Sequence, residues 1–364
     1  MAILLLTILA VIVLAFANGA NDVSKGIATL AGSGRATYRR ALPWGTLWTA
    51  AGAFGAVVVS MGLIKVFTSS LVADDVLALS SFPLAVAVGT SVWVLFASAT
   101  GLPVSTTHAL TGAIVGVALG AGGFESVRWG LLLTGIAVPL AFSPLVSAAL
   151  GYGLHGVATR LARACICAES NGAVAVPMMS AGGTLIAQST TGIGISAVEC
   201  QPAPGRLRMM AGPVTHWGAA AAISFARGVN DNPKIAALGV LAFASVGAGT
   251  ASAFAMTALA MAVGCLVAGL RVSRTLGERV VHMHADTGLA GALVTAGLVL
   301  GASLYALPVS TTHVSTGAIV GAGVRQGGSA VQWGTVRSLV AAWLVTLPVC
   351  AALGGAAIWL LPIV

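Results

Sequence analysis

Residues 16–30 read FANGANDVSKGIATL, and residues 225–239 repeat this stretch as FARGVNDNPKIAALG. Residues 102–116, LPVSTTHALTGAIVG, return in the same way as LPVSTTHVSTGAIVG at residues 307–321. Two motifs that recur in the same order indicate a chain built from two related halves. Each motif also places polar or ionisable residues in apolar surroundings. This combination is typical of a secondary transporter whose substrate site lies where two repeats meet.

The composition is that of a membrane protein. Hydrophobic residues make up 58% of the chain, charged residues make up 7%, and the mean hydropathy is +1.00, whereas soluble domains carry about 25% charged residues. Several apolar stretches are long enough to enter or cross a bilayer, among them residues 2–17, 42–67, 84–99, 129–154, 240–270, 288–307 and 339–364. We therefore predict an all-α integral membrane protein that crosses the lipid bilayer in about 10–12 membrane segments.

The distribution of arginine predicts opposite orientations for the two halves. Three arginines lie within residues 35–40, directly after the first motif, whereas three others lie within residues 271–279, after a later span of the second half. Because basic loops favour the cytoplasm, equivalent loops of the two halves are expected on opposite sides of the membrane. The net charge of +8 is then a topology signal. The basic residues are scattered over short loops, so we predict no nucleic-acid partner.

A polar segment divides the chain near its middle. We predict an N-terminal membrane repeat at residues 1–158, a polar central linker at 159–210 and a C-terminal membrane repeat at 211–364. The linker is expected to hold a short amphipathic or disordered piece. It contains Cys165, Cys167 and Cys200, which lack the paired Cys-x-x-Cys spacing and a nearby histidine. We therefore predict no metal and no cofactor, and a disulfide stays open.

Two aspartates differ from the other acidic residues in their position. Asp22 and Asp231 lie inside the first motif and its repeat, while the remaining acids fall in loops or at the ends of spans. A charge at membrane depth costs about 2.5–3.5 kcal/mol, so such residues usually line a pathway and have a partner. Lys25 and Lys234 follow them on the same face of a helix. The alternative is a purely structural ion pair in each half.

The second motif predicts an anion site. Its PVSTTH segments, at residues 103–108 and 308–313, place hydroxyl groups at the start of a helix, where backbone N–H groups lack partners. The apolar stretches that follow are too short to span fully, as in re-entrant half-helices that line a cavity. Two helix N-termini that face each other attract an anion. Simple helix capping is the alternative interpretation of these six residues, Ser105, Thr106, Thr107, Ser310, Thr311 and Thr312.

These motifs resemble those of the inorganic phosphate transporter family. The resemblance rests on Gly-Ala-Asn-Asp-Val at residues 19–23, Gly-Val-Asn-Asp at 228–231 and the two Pro-Val-Ser-Thr-Thr-His segments. It covers nearly the whole chain outside the linker. It implies two inverted-topology repeats with broken helices and re-entrant helical hairpins, and a symporter that carries inorganic phosphate across the cell inner (cytoplasmic) membrane on a cation gradient. By position, it assigns substrate binding to Asn21, Asp22, Asn230, Asp231 and the six hydroxyl residues.

Two lysines depart from the family pattern. Sodium-coupled members typically carry an amide where this chain has Lys25 and Lys234. A lysine ammonium beside each aspartate supplies the charge of a bound sodium and donates to phosphate oxygens. Arg227, which replaces Asn18 of the first repeat, is a further oxyanion donor. We add these three cations to the predicted substrate site, assign the coupling ion to Asp22 and Asp231, and predict proton coupling, with sodium as the alternative.

Other functions fit the sequence less well. A permease for sulfate or another tetrahedral oxyanion is the alternative for the substrate, and an anion channel is the alternative for the mechanism. An intramembrane hydrolase is disfavoured because His108 and His313 directly follow their hydroxyl residues and nothing resembles a nucleophile elbow. The chain is therefore predicted not to be an enzyme. A homodimer is compatible with the sequence.

Overall fold

The structure, a computed structural model, describes residues 1–59, 61–69, 71–170, 191–196, 206–245, 247 and 249–361. A π-helical turn, Leu133–Ala137, joins the helices Trp129–Leu132 and Val138–Arg163. The helices are α1 (Ala2–Gly32), α2 (Tyr38–Val59), α3 (Met61–Ser69), α4 (Asp74–Leu77), α5 (Phe82–Thr100), α6 (Thr106–Gly122), α7 (Trp129–Leu132), α8 (Val138–Arg163), α9 (Ala211–Ser245), α10 (Thr250–Ala268), α11 (Leu270–Glu278), α12 (Ala285–Leu304), α13 (Thr311–Gln326) and α14 (Trp333–Leu360).

The membrane part of the protein is helical, which confirms the predicted fold class. Within the described part of the chain, seven helical segments are long and apolar enough to cross a membrane. They are α1, α2, α5, the unit formed by α7 and α8, α10, α12 and α14. The 35-residue α9 is long enough to join them, and the shorter α6 and α13 pair with α5 and α12.

Each half contains one helical hairpin that is closed at its base. The hairpins are α5–α6 and α12–α13, and β-bridges connect the segments that flank them, Val72 with Val127 and Val281 with Val331. Both ends of a hairpin therefore lie together, and its tip points into the protein. The tips, residues 101–107 and 305–312, contain the Pro-Val-Ser-Thr-Thr segments and the first residues of α6 and α13. The helix breaks lie at these tips, whereas α1 and α9 run unbroken through their motifs.

The two halves exchange helices instead of packing as separate units. Helix α1 packs on α10 and α9 packs on α2, while α6 packs on α14 and α13 packs on α8. Glycine permits the closest of these contacts, because a Cβ on Gly116 would lie 1.9 Å from Ala351 O, and one on Gly321 would lie 1.9 Å from Ala148 O. Small residues allow such close approach in membrane helices. The opposite membrane orientation of the halves stays a prediction.

The central linker contains a small sheet that the sequence reasoning did not predict. Strands β1 (Cys165–Ser170), β2 (Thr191–Ser196) and β3 (Arg206–Met210) form an antiparallel sheet in the order β2-β1-β3. Helix α8 ends at Arg163 and α9 begins at Ala211, and the division into two repeats and a linker stays a prediction. The side chains of Cys165 and Cys167, and the whole of Cys200, lie outside the described residues.

Candidate functional site

The predicted site residues come together inside the protein. Every one of them is at most 4% exposed. Helix α1 contributes Asn21, Asp22 and Lys25, and α9 contributes Arg227, Asn230, Asp231 and Lys234, while the remaining residues lie at the hairpin tips. Asp22 and Lys25, like Asp231 and Lys234, are separated by one helical turn and therefore share a face. The site thus forms where two helices meet two tips.

Asp22 lies where both hairpins reach α1. Its Oδ1 is 2.5 Å from the Nζ of Lys25. Its Oδ2 accepts hydrogen bonds from Asn18 Nδ2 at 3.2 Å and from the hydroxyls of Thr106 at 3.4 Å and Thr311 at 3.5 Å. These two threonines begin α6 and α13. One carboxylate therefore contacts the tips of both halves.

Asp231 has a looser set of cationic partners than Asp22. The Nζ of Lys234 and the Nε of Arg227 each lie 3.7 Å from its carboxylate. Asn230 Nδ2 donates to Asp231 Oδ1 at 2.9 Å, and Asn18 Nδ2 lies 3.4 Å from Oδ2. The amide of Asn18 thus bridges the two aspartates. The equivalent acids are held differently in the two halves, although their motifs are similar.

Among the described residues, three oxygen atoms surround each lysine ammonium. Lys25 Nζ contacts Asp22 Oδ1 and both oxygens of Asn21, the side-chain Oδ1 at 3.2 Å and the backbone carbonyl at 3.4 Å. Lys234 Nζ donates to Thr107 Oγ1 at 2.9 Å and to Val309 O at 3.1 Å, with Asp231 Oδ1 at 3.7 Å. The first group lies within one helix. The second group reaches both hairpin tips.

The two hairpin tips hold each other. The Thr107 hydroxyl donates to Val309 O at 3.2 Å, and the Thr312 hydroxyl donates to Val104 O at 2.7 Å. The hydroxyls of Ser105 and Ser310 instead cap the helices that they precede, because both serines are N-cap residues. Helix capping therefore accounts for both serines, and the threonines are the tip residues that contact other elements.

The capping bonds are equal in the two halves. The backbone N–H of His108 donates to Ser105 Oγ at 3.2 Å, and that of His313 donates to Ser310 Oγ at 3.2 Å. The two imidazole rings that follow lie 4.6 Å apart between centroids. The matching geometry indicates that the repeated sequence builds the same helix start twice.

Two asparagines attach the tips to the long helices. Asn21 Nδ2 donates to Leu102 O at 2.9 Å, and Asn21 Oδ1 accepts from the backbone N–H of Val104 at 3.2 Å. Asn230 Nδ2 lies 3.4 Å from Val309 O. An asparagine side chain provides both a donor and an acceptor, so it can satisfy an irregular backbone segment within the membrane. This explains physically why the motif pairs an amide with the aspartate.

Sequence reasoning missed three residues of the site. Asn18 bonds Asp22 and also donates to Thr106 Oγ1 at 3.0 Å. Ser98 and Ser303 contact the equivalent asparagines, with Asn21 Nδ2 donating to Ser98 Oγ at 3.2 Å and Ser303 Oγ donating to Asn230 Oδ1 at 3.3 Å. Asn18 was detectable as the partner of Arg227 in the repeat. The serines precede the second motif at matching distances, but their neighbours are too ordinary to single them out.

Comparison with known proteins agrees with this geometry. A model of the phosphate transporter family matches residues 18–354. The chain belongs to this family. Among relatives, a protein of Mycobacterium bovis named "probable low-affinity inorganic phosphate transporter" is 28% identical over 360 residues, which cover 97% of this chain and 76% of the relative. A protein of the same name from Bacillus subtilis is 26% identical, with 99% and 98% of the two chains covered.

The chain is also similar to a plant protein and to a solved structure. "Inorganic phosphate transporter 2-1, chloroplastic" of Arabidopsis thaliana is 28% identical, over 94% of this chain and 69% of its own. A solved structure titled "The sodium-dependent phosphate transporter" superposes with a TM-score of 0.77 at 22% identity, covering 99% of both chains. The phosphate transporter family resemblance is thereby confirmed. The chain is a multi-pass membrane protein, and its bacterial relatives indicate the inner membrane.

Proposed function

We propose that the chain is a secondary active symporter that carries inorganic phosphate together with protons and without sodium. The observation that carries the proposal is the oxygen shell around each buried lysine. In the first half the shell consists of Asp22 Oδ1 and the two oxygens of Asn21. Oxygen atoms of this kind are the ligands that hard cations take in proteins. The lysine ammonium already fills this position, so no sodium ion is needed to balance the aspartate.

The charge of the cluster favours an anionic substrate. Among the described residues, Lys25, Arg227 and Lys234 are buried together with two carboxylates, Asp22 and Asp231. With all five groups ionised, the cluster has one excess positive charge. An unpaired charge in the protein interior is costly, and an oxyanion would compensate it. The N-termini of α6 and α13, which meet at the tips, favour negative charge as well.

Phosphate fits this cluster better than sulfate does. Near neutral pH phosphate carries an exchangeable proton, and a carboxylate such as Asp22 accepts a hydrogen bond from it. Sulfate has no proton to offer, so a sulfate oxygen close to either aspartate is repelled. The threonine hydroxyls and the lysine ammonium groups supply donors to the other oxygens of phosphate. Recognition of the proton therefore sets the substrate class.

The position of Asp22 between the tips supports proton coupling. The hydroxyls of Thr106 and Thr311, one from each hairpin, donate to the same Asp22 oxygen. Protonation of this carboxylate removes a negative charge from the junction and changes how it bonds to both tips. Proton loading and hairpin position are then linked, as symport requires.

Uptake of labelled phosphate into proteoliposomes tests the proposal, with sodium and pH gradients imposed separately. We expect uptake in sodium-free buffer, acceleration when the outside is acidic, and competition by unlabelled phosphate but not by sulfate. Uptake that requires sodium and ignores the pH gradient at constant substrate protonation would refute the coupling. The chain would then couple like the structural neighbour, whose title names sodium. Preferential uptake of sulfate would refute the substrate.

A further inference from the structure

An open cavity of about 760 Å³ lies beside the site, between α1, α5, α10 and α11. At about 30 Å³ for each water molecule, it has room for about 25 waters. This is far more than one phosphate ion needs. The cavity is therefore a vestibule, large enough to hold water, that leads toward the site, and the tight contacts around Asp22 lie beyond it.

The inner wall of the vestibule reaches the site within one hydrogen bond. Ala20 and Ser98 line it, and both adjoin Asn21. Ala20 precedes Asn21 in α1, and Ser98 Oγ accepts a hydrogen bond from Asn21 Nδ2 at 3.2 Å. Asn21 in turn holds the first hairpin tip through Leu102 and Val104. An ion at this wall is thus next to the group that fixes the tip.

The outer part of the vestibule is basic. Arg271, Arg274 and Arg279 line it, and no acidic residue is among the described residues of its wall. In the sequence, these arginines indicate the cytoplasmic side of the membrane. Charged residues of one sign in a cleft with apolar walls concentrate counter-ions and speed their entry. The lining is therefore suited to collect a small anion from solution.

Arg271 also connects the vestibule to the first hairpin. Its guanidinium donates a hydrogen bond to the carbonyl of Ala99, in the last turn of α5. Carbonyls in the last turn of a helix have no partner within the helix, so this oxygen depends on an outside donor. Gly101, with a left-handed φ of 80°, lies so close that an added Cβ would be 3.0 Å from Arg271 Cγ. Arg271 thus packs against the start of the tip.

We infer that the vestibule is an anion-capture site for inorganic phosphate, built by Arg271, Arg274 and Arg279 on the cytoplasmic side of the substrate site. The assignment of the side follows from the preference of basic residues for the cytoplasm. The inference rests on the proposed function and adds the route by which phosphate enters or leaves. A guanidinium has more donors than Ala99 O uses, so Arg271 can hold a phosphate oxygen while it stays bound to the hairpin.

Sided transport measurements test this inference. Uptake by intact cells reports the outer face, and uptake by inverted membrane vesicles reports the cytoplasmic face. Removing a unit charge about 10 Å from a mono- or divalent anion in a watery medium changes its binding about two- to fourfold. We therefore expect Arg271→Gln, Arg274→Gln and Arg279→Gln each to raise KM for phosphate about two- to fourfold in inverted vesicles. KM in intact cells should not change.

A matched control distinguishes the charges that line the vestibule from positive charge elsewhere on the same side of the protein. Arg40 is exposed, is predicted on the same side, and does not line the vestibule. Arg40→Gln should leave KM unchanged on both faces. The triple arginine variant should also lose most of the salt dependence of KM in inverted vesicles, because salt screens solvent-exposed charges much more than it screens buried ones. Wild-type KM in the triple variant, or an equal effect of Arg40→Gln, would overturn the inference.

Arg271→Lys distinguishes anion capture from a structural tie to the hairpin. Lysine keeps the charge but not the planar fork of donors, so KM in inverted vesicles should rise less than in Arg271→Gln. Equal effects of both variants would assign Arg271 to the hairpin alone and overturn its role in capture. Arg274 and Arg279 are exposed, so their variants should fold. A wild type that fails to carry phosphate would refute the proposed function itself, whereas active transport with unchanged arginine variants would refute only the vestibule.

Discussion

Substitution of Lys25 by asparagine tests the role of the buried ammonium most directly. Lys25 is fully buried, and its Nζ lies 2.5 Å from Oδ1 of Asp22, which is 1% exposed. Lys25→Asn leaves this carboxylate buried without a cation. Its remaining contacts are the neutral donors Asn18, Thr106 and Thr311, at 3.2–3.5 Å. Breaking a buried pair in this way costs about 3–5 kcal/mol.

The equivalent substitution in the second half is a matched control. Lys234→Asn removes an ammonium that is 3.7 Å from Asp231, but Arg227 remains at the same distance. The loss is then limited to two hydrogen bonds, with Thr107 and Val309 O, and costs about 1–3 kcal/mol. In detergent, thermal unfolding should therefore be shifted down further by Lys25→Asn than by Lys234→Asn.

Sodium should act on these variants differently from the wild type. Lys25→Asn empties a set of three oxygens, and sodium chloride, compared with choline chloride, should raise its unfolding temperature. In proteoliposomes the same variant should lose sodium-free phosphate uptake and regain part of it with sodium. The wild type should respond to sodium in neither assay. Equal destabilisation by the two substitutions, or a Lys25→Asn protein that ignores sodium, would refute the ammonium argument.

Three further expectations concern the remaining parts of the site. Asp22→Asn and Asp231→Asn should each abolish phosphate uptake in proteoliposomes while the protein stays folded and inserted; near-normal uptake would reduce that aspartate to a structural role. Thr106→Val or Thr311→Val removes one donor at a cost of about 1–3 kcal/mol, so the apparent affinity for phosphate should fall about tenfold or more; an unchanged affinity in both would contradict direct contact. Gly116→Ala should strongly lower thermal stability, because its Cβ would lie 1.9 Å from a backbone oxygen of α14; a normal unfolding temperature would show that the helices can separate there.

The membrane fold and the two aspartate–lysine pairs could be predicted from the sequence, because each motif occurs twice and the repetition makes the motif specific. A single Asn-Asp-x-x-Lys run is weak evidence, but the same run beside Asp22 and Asp231 in two halves is hard to explain by chance. The helix starts after Ser105 and Ser310 were predictable for a similar reason, since hydroxyl residues favour N-caps. Such capping preferences act within one helical turn, and Ser105 and Ser310 are N-cap residues in the structure.

Contacts between distant elements were not accessible in this way. The bridge that Asn18 makes between two aspartates depends on how α1 and α9 cross, and no local pattern encodes that crossing. The exchange of helices between the halves, such as α6 on α14, also arises only in tertiary packing. The sheet around β1 was missed because its strands are short and lie in a polar segment without strong alternation. The different partners of Asp22 and Asp231 likewise follow from packing.

The unequal use of two similar motifs is the feature that most constrains the mechanism. Lys25 binds within α1, so its contacts persist whichever way the hairpins lie. Lys234 instead contacts Thr107 of one tip and Val309 of the other, and these contacts exist only while the tips are together. Movement of one hairpin away from the other would therefore break at least one of these two contacts of Lys234, but it can leave the Lys25–Asp22 pair intact. Duplication has produced one lysine whose contacts lie within its own helix and one whose contacts depend on tip position, so we expect the two halves to contribute differently to transport although their sequences are similar.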